Sequence, residues 1–336
     1  FFSSLNRRLG IDLGSCRTRI WLDGEGLVLD EASVLAIDQK QGKIIAVGDK
    51  ALEMEGRVDE SITVSHPIQQ PKVTNKEYLS ALLKVFLHQA SEKNYFFSPS
   101  IVVSLASNTS PVVREAVAEV ISDLGAKEVL VVSQPLAAAI GCGVPIADAS
   151  GCFILQLGGF VVEAAVISLG KMINSEAVHW AGLTMDQHLR HYLRQEKKLK
   201  ISQRQAERLK INLGTLNPNL ERRIIVSGKD LQQGSVKEVK ISTQDIMPVI
   251  EFFAGKYQLL VKQLLSKVPP DLTTDLIDKG LLLTGSLAEI DELDNYLANA
   301  LSLPVAVVDK PDLSVVEGLG AILKHLDQFK QSLGYY

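Results

Sequence analysis

Cysteine is scarce in this chain, and the three present form no pattern. Cys16, Cys142 and Cys152 make no C-x-x-C pair and leave an odd thiol, which argues against a disulfide scaffold or zinc site and for a reducing compartment such as the cytosol. A dominant charge is missing as well. The 35 basic residues face 39 acidic ones, for a net charge of -4, so nothing draws the whole chain to nucleic acid or to an acidic surface. Long apolar runs are also lacking. The longest charge-free run, residues 129–147, is interrupted by Ser133-Gln134-Pro135 and Gly141-Cys142-Gly143, so it reads as a strand and a short buried helix rather than a membrane span. The N-terminus has no apolar signal-peptide core, because Arg7 and Arg8 lead directly into the first strand. Apolar residues are nevertheless plentiful. At 46% of 336 residues they suffice for the roughly two domains that the length predicts.

The organising stretch lies near the middle, at Phe153-Ile154-Leu155-Gln156-Leu157-Gly158-Gly159-Phe160-Val161-Val162-Glu163-Ala164-Ala165-Val166. Two apolar runs flank a Gly-Gly turn, so it reads as a buried β-hairpin whose turn has no Cβ to block a bound phosphate. The start of the chain echoes it. Gly10-Ile11-Asp12-Leu13-Gly14-Ser15-Cys16-Arg17-Thr18-Arg19-Ile20 has the same plan, with Asp12 opposite Gln156 and Gly14 opposite Gly158. A repeat separated by almost half the chain suggests two related domains.

Between and beyond these hairpins the pattern alternates strand and helix, the mark of a mostly parallel α/β sheet. Residues 33–37 and 43–47 read as strands of a small insert running to about Gln70. Asn75 caps a helix from Lys76 to about Lys93, and Ser110-Pro111 starts a second that ends at Gly125. Strands follow at residues 101–105 and 128–132. The aromatic loop Tyr95-Phe96-Phe97 reads, on composition alone, as packed down. In the second half, a strand at 173–178 leads to a helix over 186–197. That helix carries His188 and His191 at metal-holding spacing, but no third ligand beyond Asp186, so a solvated helix face is the preferred reading. The basic stretch 190–210 also reads as a solvated face. A helix over 203–213 overlaps its end. Strands at 222–226 and 236–241, a helix over 243–268 and a strand at 281–283 follow. The turn Thr284-Gly285-Ser286-Leu287 then precedes a helix, whose N-terminal amides suit an anion. A last strand at 305–308 and a helix over 313–331 close the chain.

These ordered motifs resemble the MreB family of bacterial actin-like filament proteins. The matches are Gly10-Ile11-Asp12-Leu13-Gly14, Gly26-Leu27-Val28-Leu29-Asp30-Glu31, Ala46-Val47-Gly48, Pro135-Leu136-Ala137-Ala138-Ala139-Ile140-Gly141, Glu163-Ala164-Ala165-Val166-Ile167-Ser168-Leu169-Gly170, Ala206-Glu207-Arg208-Leu209-Lys210 and Leu283-Thr284-Gly285. The resemblance covers about residues 9–325 and implies an α/β, actin-like (ribonuclease H-like) fold. Its two related domains would each carry a small lobe: a first large domain of 7–30, 71–145 and 312–330 with lobe 31–70, and a second of 146–184 and 243–311 with lobe 185–242. It further implies ATP and Mg2+ in a central cleft, and head-to-tail filaments of itself or a paralogue on the inner face of the cytoplasmic membrane, serving the cell-elongation machinery and cell shape. Carried across, the nucleotide contacts would be Asp12, Gly14, Ser15, Cys16 and Arg17; Gly158, Gly159 and Phe160; Glu207, Arg208, Leu209 and Lys210; and Gly285, Ser286, Leu287 and Ala288. Asp12 would reach the metal through water. Because such proteins insert an apolar loop and an N-terminal segment into the bilayer, the resemblance reverses the reading of Tyr95, Phe96 and Phe97 to exposed tips, joined by Phe1 and Phe2 beside Arg7 and Arg8.

The departures are chemical. The family hairpin Asp-x-Gly-Gly-Gly-Thr is here Gln156-Leu157-Gly158-Gly159-Phe160-Val161, which loses a carboxylate, a glycine and a hydroxyl. The family's water-orienting glutamate falls at Val113, and Glu115 lies about 200° round the helix. The third turn has Ser286-Leu287 where the family has glycines, and Ser15-Cys16-Arg17 adds a cation to the first turn. Phosphoryl transfer depends on positioning water, metal and charge, so hydrolysis is expected to be weak or lost. A nucleotide-free adaptor of a conventional family member is the alternative reading. A sugar or acyl kinase is disfavoured by the missing cleft carboxylates.

Overall fold

The computed structural model describes residues 7–90 and 98–332; Phe1, Phe2, Tyr95, Phe96 and Phe97 lie outside them. The chain forms two compact units, one built from residues 1–149, 167–173 and 312–336, the other from 150–166 and 174–311.

In the first unit, β1 (Arg8–Leu13) and β2 (Arg17–Leu22) form the opening hairpin, followed by β3 (Gly26–Ala32). Leu9, Ile11 and Leu13, and then Ile20 and Leu22, are buried at the two-residue period of a strand. The insert builds a small sheet from β4 (Leu35–Asp38), β5 (Lys43–Val47) and β6 (Ile62–Ser65), in the order β5-β4-β6, with α1 (Asp49–Met54) packed on it. Its core of Ala32, Val34, Ala36 and Ala51 is separate from the main one. The short pair β7 (Ile68–Gln69) and β8 (Lys72–Val73) leads to α2 (Lys76–Ala90), where Asn75 Oδ1 accepts from the Tyr78 amide at 2.9 Å, the expected cap. Next come β9 (Ser100–Leu105), α3 (Pro111–Asp123), β10 (Glu128–Ser133) and α4 (Gln134–Gly141). Because β9 runs parallel to both β1 and β10, the main sheet has the mixed order β10-β9-β1-β2-β3.

The second unit repeats this plan, apart from residues 167–173 at the β12–β13 turn, which group with the first unit. β11 (Cys152–Leu157), β12 (Val162–Ser168) and β13 (Lys171–Val178) are followed by α5 (Gly182–Glu196), β14 (Leu199–Lys200) and α6 (Gln203–Leu213). After β15 (Arg223–Asp230) and β16 (Val236–Ser242) come α7 (Thr243–Leu265), α8 (Pro270–Lys279), β17 (Leu281–Thr284), α9 (Leu293–Leu301) and β18 (Val305–Val307). The main sheet has the order β13-β12-β11-β17-β18, and a small sheet has the order β14-β15-β16. Every residue of β11 and β12 is buried, as the near-continuous apolar run suggests for strands covered on both faces.

Several elements differ from the expectations. α5 begins at Gly182, four residues before Asp186, because the Gly182 and Leu183 amides find acceptors in the Gly158 and Gly159 carbonyls, at 3.2 and 2.7 Å. α8, starting at Pro270, had no counterpart in the sequence reading. The C-terminal helix is two, α10 (Ser314–Lys324) and α11 (Leu326–Ser332), divided at His325. α10 belongs to the first unit and crosses α4 backbone to backbone. A Cβ built on Gly318 would lie 1.8 Å from the Ala137 carbonyl oxygen, and one on Gly141 1.9 Å from that of Ser314, so only glycine permits the crossing.

Candidate functional site

The first hairpin turn is held from below by Gln70. Its amide donates to Ser15 Oγ at 2.9 Å, and its side-chain nitrogen donates to the Leu13 carbonyl at 2.6 Å. Gly14 is required here, since a Cβ would stand 2.5 Å from the Arg17 carbonyl oxygen. Asp12 is buried and accepts from Ser104 Oγ at 2.9 Å and Gln134 Nε2 at 3.2 Å, both on Oδ1. Burial pushes its carboxyl up, against the pull of Arg19 and of these two donors. Cys16 is partly exposed. Arg17, the cation expected to add a phosphate contact, is committed elsewhere. Its Nε donates to Asp30 Oδ1 at 2.5 Å, and its other nitrogens to the Asp30 carbonyl at 2.8 Å and to Asp49 at 3.2 Å. The two carboxylates outcompete an open position for a bidentate guanidinium.

The second turn has the same geometry three residues along. A Cβ on Gly158 would lie 2.6 Å from the Val161 carbonyl oxygen, as Gly14 does with Arg17. Asp12 pairs in register with Ser104 on β9, and Gln156 pairs with Thr284 on β17. The chemistry then diverges. In the first unit the acid and hydroxyl are bonded, whereas the buried Gln156 Oε1 and Thr284 Oγ1 each lack a hydrogen-bond partner among the described residues. Phe160 turns its ring edge-on to His179 at 5.7 Å, so its side chain is fastened beside the turn instead of leaving the space a glycine would.

Lys210 joins this turn to α5 and α6. Its ammonium donates to the Gly182 carbonyl at 3.2 Å and pairs with Asp186 Oδ1 at 2.8 Å. Asp186 is only 1% exposed. Burial pushes its carboxyl up to about 6, Lys210 pulls it down, and Glu207 raises it further. Sequence reading selected Lys210 and Glu207 but saw Asp186 only as a weak third partner for histidines; the 24-residue separation from Lys210 hid the pair. Glu207 and Arg208 are exposed on α6, while Leu209 points into the unit's core. At the third turn Gly285 has φ +83° and its Cβ would meet the Leu157 carbonyl oxygen. The expected helix after it is a single 3-10 turn, Ser286–Glu289, and Leu287 and Ala288 are buried in the core. That leaves Gly285 and the exposed Ser286 as the accessible part, with no α-helical N-terminus for an anion.

Val113 sits in the first turn of α3, which holds no acid, and its amide donates to the Ser110 cap at 3.4 Å. Arg114, unremarked in the sequence, folds back to donate to the Thr109 and Ser107 carbonyls, each at 3.0 Å. Of the histidine pair, His191 is exposed as expected of a solvated face, but His188 is not. His188 stacks on Phe252 at 5.6 Å and meets Trp180 and Phe253 edge-on. Among the described residues no group of three or more His, Cys, Asp or Glu is placed to hold a metal, and no helix is long and apolar enough to cross a membrane.

The first two turns thus share one glycine-dependent backbone shape. The first retains a carboxylate with Oδ2 unused by described side chains, a fit for a water-mediated metal contact. The second offers a neutral, unpaired acceptor at Gln156 that a water molecule would satisfy, and no charge.

Comparison with known proteins gives a consistent family. The family model described as MreB/Mbl protein matches residues 6–331. The cell shape-determining protein Mbl of Bacillus subtilis is 32% identical over 323 residues, covering 96% of this chain and 97% of that protein. The cell shape-determining protein MreB of Escherichia coli is 31% identical over 333 residues, covering 97% and 96%. The crystal structure of MreB5 of Spiroplasma citri bound to ADP superposes with a TM-score of 0.92 at 28% identity, covering 97% of this chain and 98% of that one. The MamK double helical filament gives 0.81 at 17% identity, which speaks for the fold alone, covering 95% and 99%. With the actin-like α/β fold and the repeated hairpins in hand, these matches over nearly the whole chain place it in the MreB/Mbl family.

Proposed function

We propose that this chain is a cell shape-determining, actin-like filament subunit that binds ATP or ADP weakly, with Mg2+, and hydrolyses ATP slowly or not at all. The observation that carries the reading is Gln156. Where the first turn has a buried, hydrogen-bonded carboxylate, the second has an amide whose Oε1 is buried and without a partner among the described residues, so the second turn brings no charge to a hydrated metal. Lys210 adds little free positive charge, because Asp186 neutralises it. The absence of an acid in the first turn of α3 removes a means of orienting water. Binding would use Gly14, Ser15, Cys16, Gly158, Gly159, Glu207, Lys210, Gly285 and Ser286, with Asp12 on the metal through water. A Spiroplasma citri relative has been crystallised with AMPPNP as well as ADP, which supports nucleotide as the ligand class.

The proposed setting is peripheral, at the inner face of the cytoplasmic membrane, reached by Tyr95, Phe96 and Phe97 with Phe1 and Phe2, and in contact with the cell-elongation machinery. The two units would each divide into a large domain and a small lobe at the boundaries read from the sequence. Vesicle co-sedimentation of the full chain against a Tyr95, Phe96, Phe97 to Ser variant tests the membrane contact: the variant is expected to stay in the supernatant, and equal pelleting rejects it. Nucleotide affinity by calorimetry tests the pocket. Weak, magnesium-dependent binding is expected. Binding as tight as in a family member with the full acidic hairpin contradicts the reading, and no binding at all favours the nucleotide-free adaptor.

A further inference from the structure

Arg17, at the first turn, belongs to a side-chain cluster with more acid than base. Arg17 and Arg19 alternate with the buried Thr18 along β2, so both lie on the side of the sheet away from Ile20 and Leu22. Asp30 of β3 stands opposite Arg19 in register and serves both arginines. Its Oδ1 accepts from Arg17 Nε at 2.5 Å, and its Oδ2 lies 3.1 Å from Arg19 Nε. Arg19 is completed by Asp312, whose carbonyl and Oδ2 accept at 2.6 and 2.9 Å. The last carboxylate is Asp49, carried by α1, which meets the outer nitrogens of Arg17 at 3.2 and 3.5 Å. Among the described residues, three carboxylates therefore face two guanidiniums. The cluster offers an incoming anion no net positive charge.

The two arms of Arg17 are unequal. Asp30 is fixed by Arg19 as well, and its carbonyl takes Arg17 Nη2 at 2.8 Å, so this arm is anchored twice. The Asp49 arm is the exchangeable one. Its contacts are longer, the Asp49 side chain is 50% exposed and that of Arg17 37%, and an ion pair so wetted is weak. Asp49 also keeps partners when Arg17 leaves, because its Oδ1 accepts from the Ala32 amide at 3.1 Å and its own amide donates to Glu31 Oε2 at 2.7 Å. Arg17 follows Ser15 by two residues, so their Cα atoms are at most about 7.6 Å apart, a distance the long side chain spans to a group bound on the turn. A phosphate carries more charge than one carboxylate and accepts from the same planar fork. The turn itself stays in place through the exchange. Ser33 Oγ donates to the Gly14 carbonyl at 2.6 Å, and the Gln70 amide holds Ser15, both independently of Arg17.

We propose that Asp49 is an autoinhibitory carboxylate: it occupies the arm of Arg17 that a phosphate group at the first turn takes, so phosphate binding and the docking of α1 on that turn compete. The inference rests on the nucleotide reading and gives weak binding a second origin, separate from Gln156. Because α1 packs on the small sheet β5-β4-β6, the competition ties occupancy of the turn to the hold on that sheet. The coupling is reciprocal, so the affinity that phosphate loses to Asp49 is the docking that α1 loses to phosphate.

Calorimetry of the full chain with ADP and magnesium, and separately with inorganic phosphate, tests it on wild type, Asp49→Asn, Arg17→Gln and the double variant. Asparagine keeps an acceptor for the Ala32 amide while removing the charge, and unchanged thermal unfolding serves as the folding control. Asp49→Asn is expected to bind both probes roughly three- to fivefold more tightly, the scale of one exposed ion pair. Arg17→Gln should bind no more tightly than wild type, and the double variant should lose the gain. Glu53→Gln, exposed on the same helix, controls for the general field and should leave affinity nearly unchanged. Hydrogen exchange gives an independent readout on the unmodified chain. Amides of residues 49–54 should exchange faster in wild type saturated with ADP, and in Asp49→Asn they should exchange at the faster rate with or without it. Unchanged affinity in Asp49→Asn, an equal gain in Glu53→Gln, a gain that survives in the double variant, or wild-type exchange that ignores bound ADP overturns the autoinhibition while leaving the nucleotide reading in place. Failure of wild type and every variant to bind ADP or phosphate ends the nucleotide reading and the inference with it.

Discussion

Asp186 and Lys210 set the electrostatics of the second turn. The folded carboxyl of Asp186 is pushed up to about 6 from the ordinary 3.8, so the folded state holds a proton that the unfolded chain releases. This group therefore favours folding at acid pH, and the advantage is lost as pH rises from about 4 through about 6. Two pKa units correspond to about 3 kcal/mol. Denaturant titrations at several pH values should show the Asp186→Asn variant gaining that order of stability relative to wild type between the acid and neutral ends; parallel curves contradict it. The same proton frees Lys210, so inorganic phosphate should bind more tightly to wild type below pH 6, a gain that Lys210→Met removes. At Gln156, restoring the acid with Gln156→Asp should raise magnesium-dependent nucleotide affinity by roughly tenfold, the scale of one added charge contact at partial burial; calorimetry with and without magnesium reads it. The residue types at these positions were legible in the sequence. Their partners were not, because Gln70 reaches Ser15 and Asp186 reaches Lys210 across separations that no periodic pattern reports.

At the scale of elements, the signals that survived were chemical and local. Asn75 and Ser110-Pro111 begin α2 and α3 where capping predicts. α8 was invisible because Pro269-Pro270 reads as a break, although the second proline occupies the first helical position, where its missing N–H is harmless. The third turn was misjudged because a glycine before apolar residues suits a 3-10 turn as well as an α-helix; burial of Leu287 and Ala288 decided between them. The α4–α10 crossing is the most exacting contact in the first unit. Gly318→Ala drives a methyl into the Ala137 carbonyl and should cost about 3 kcal/mol or prevent folding. A surface control on the same helix, Lys324→Ala, should stay near wild type in the same thermal melt, and an undisturbed Gly318→Ala melt contradicts the packing.

At the scale of the whole molecule, the internal repeat read from two Leu-Gly turns is present in three dimensions. Gly14 and Gly158 meet carbonyl oxygens three residues ahead at nearly equal distances, and Asp12–Ser104 corresponds to Gln156–Thr284 in strand register. The fold was legible because duplication preserves backbone shape. The proposed loss of hydrolysis rests on residue identity alone, at Gln156, Phe160 and Val113. This chain has the fold of the MreB/Mbl family, and the proposal is that the neutral Gln156 weakens the chemistry of one turn. Phosphate release measured during assembly of the full chain with ATP and magnesium tests that claim most directly. Polymer is expected to form while phosphate accumulates far more slowly than with a family member carrying the full acidic hairpin; equal turnover on polymerised protein contradicts the claim.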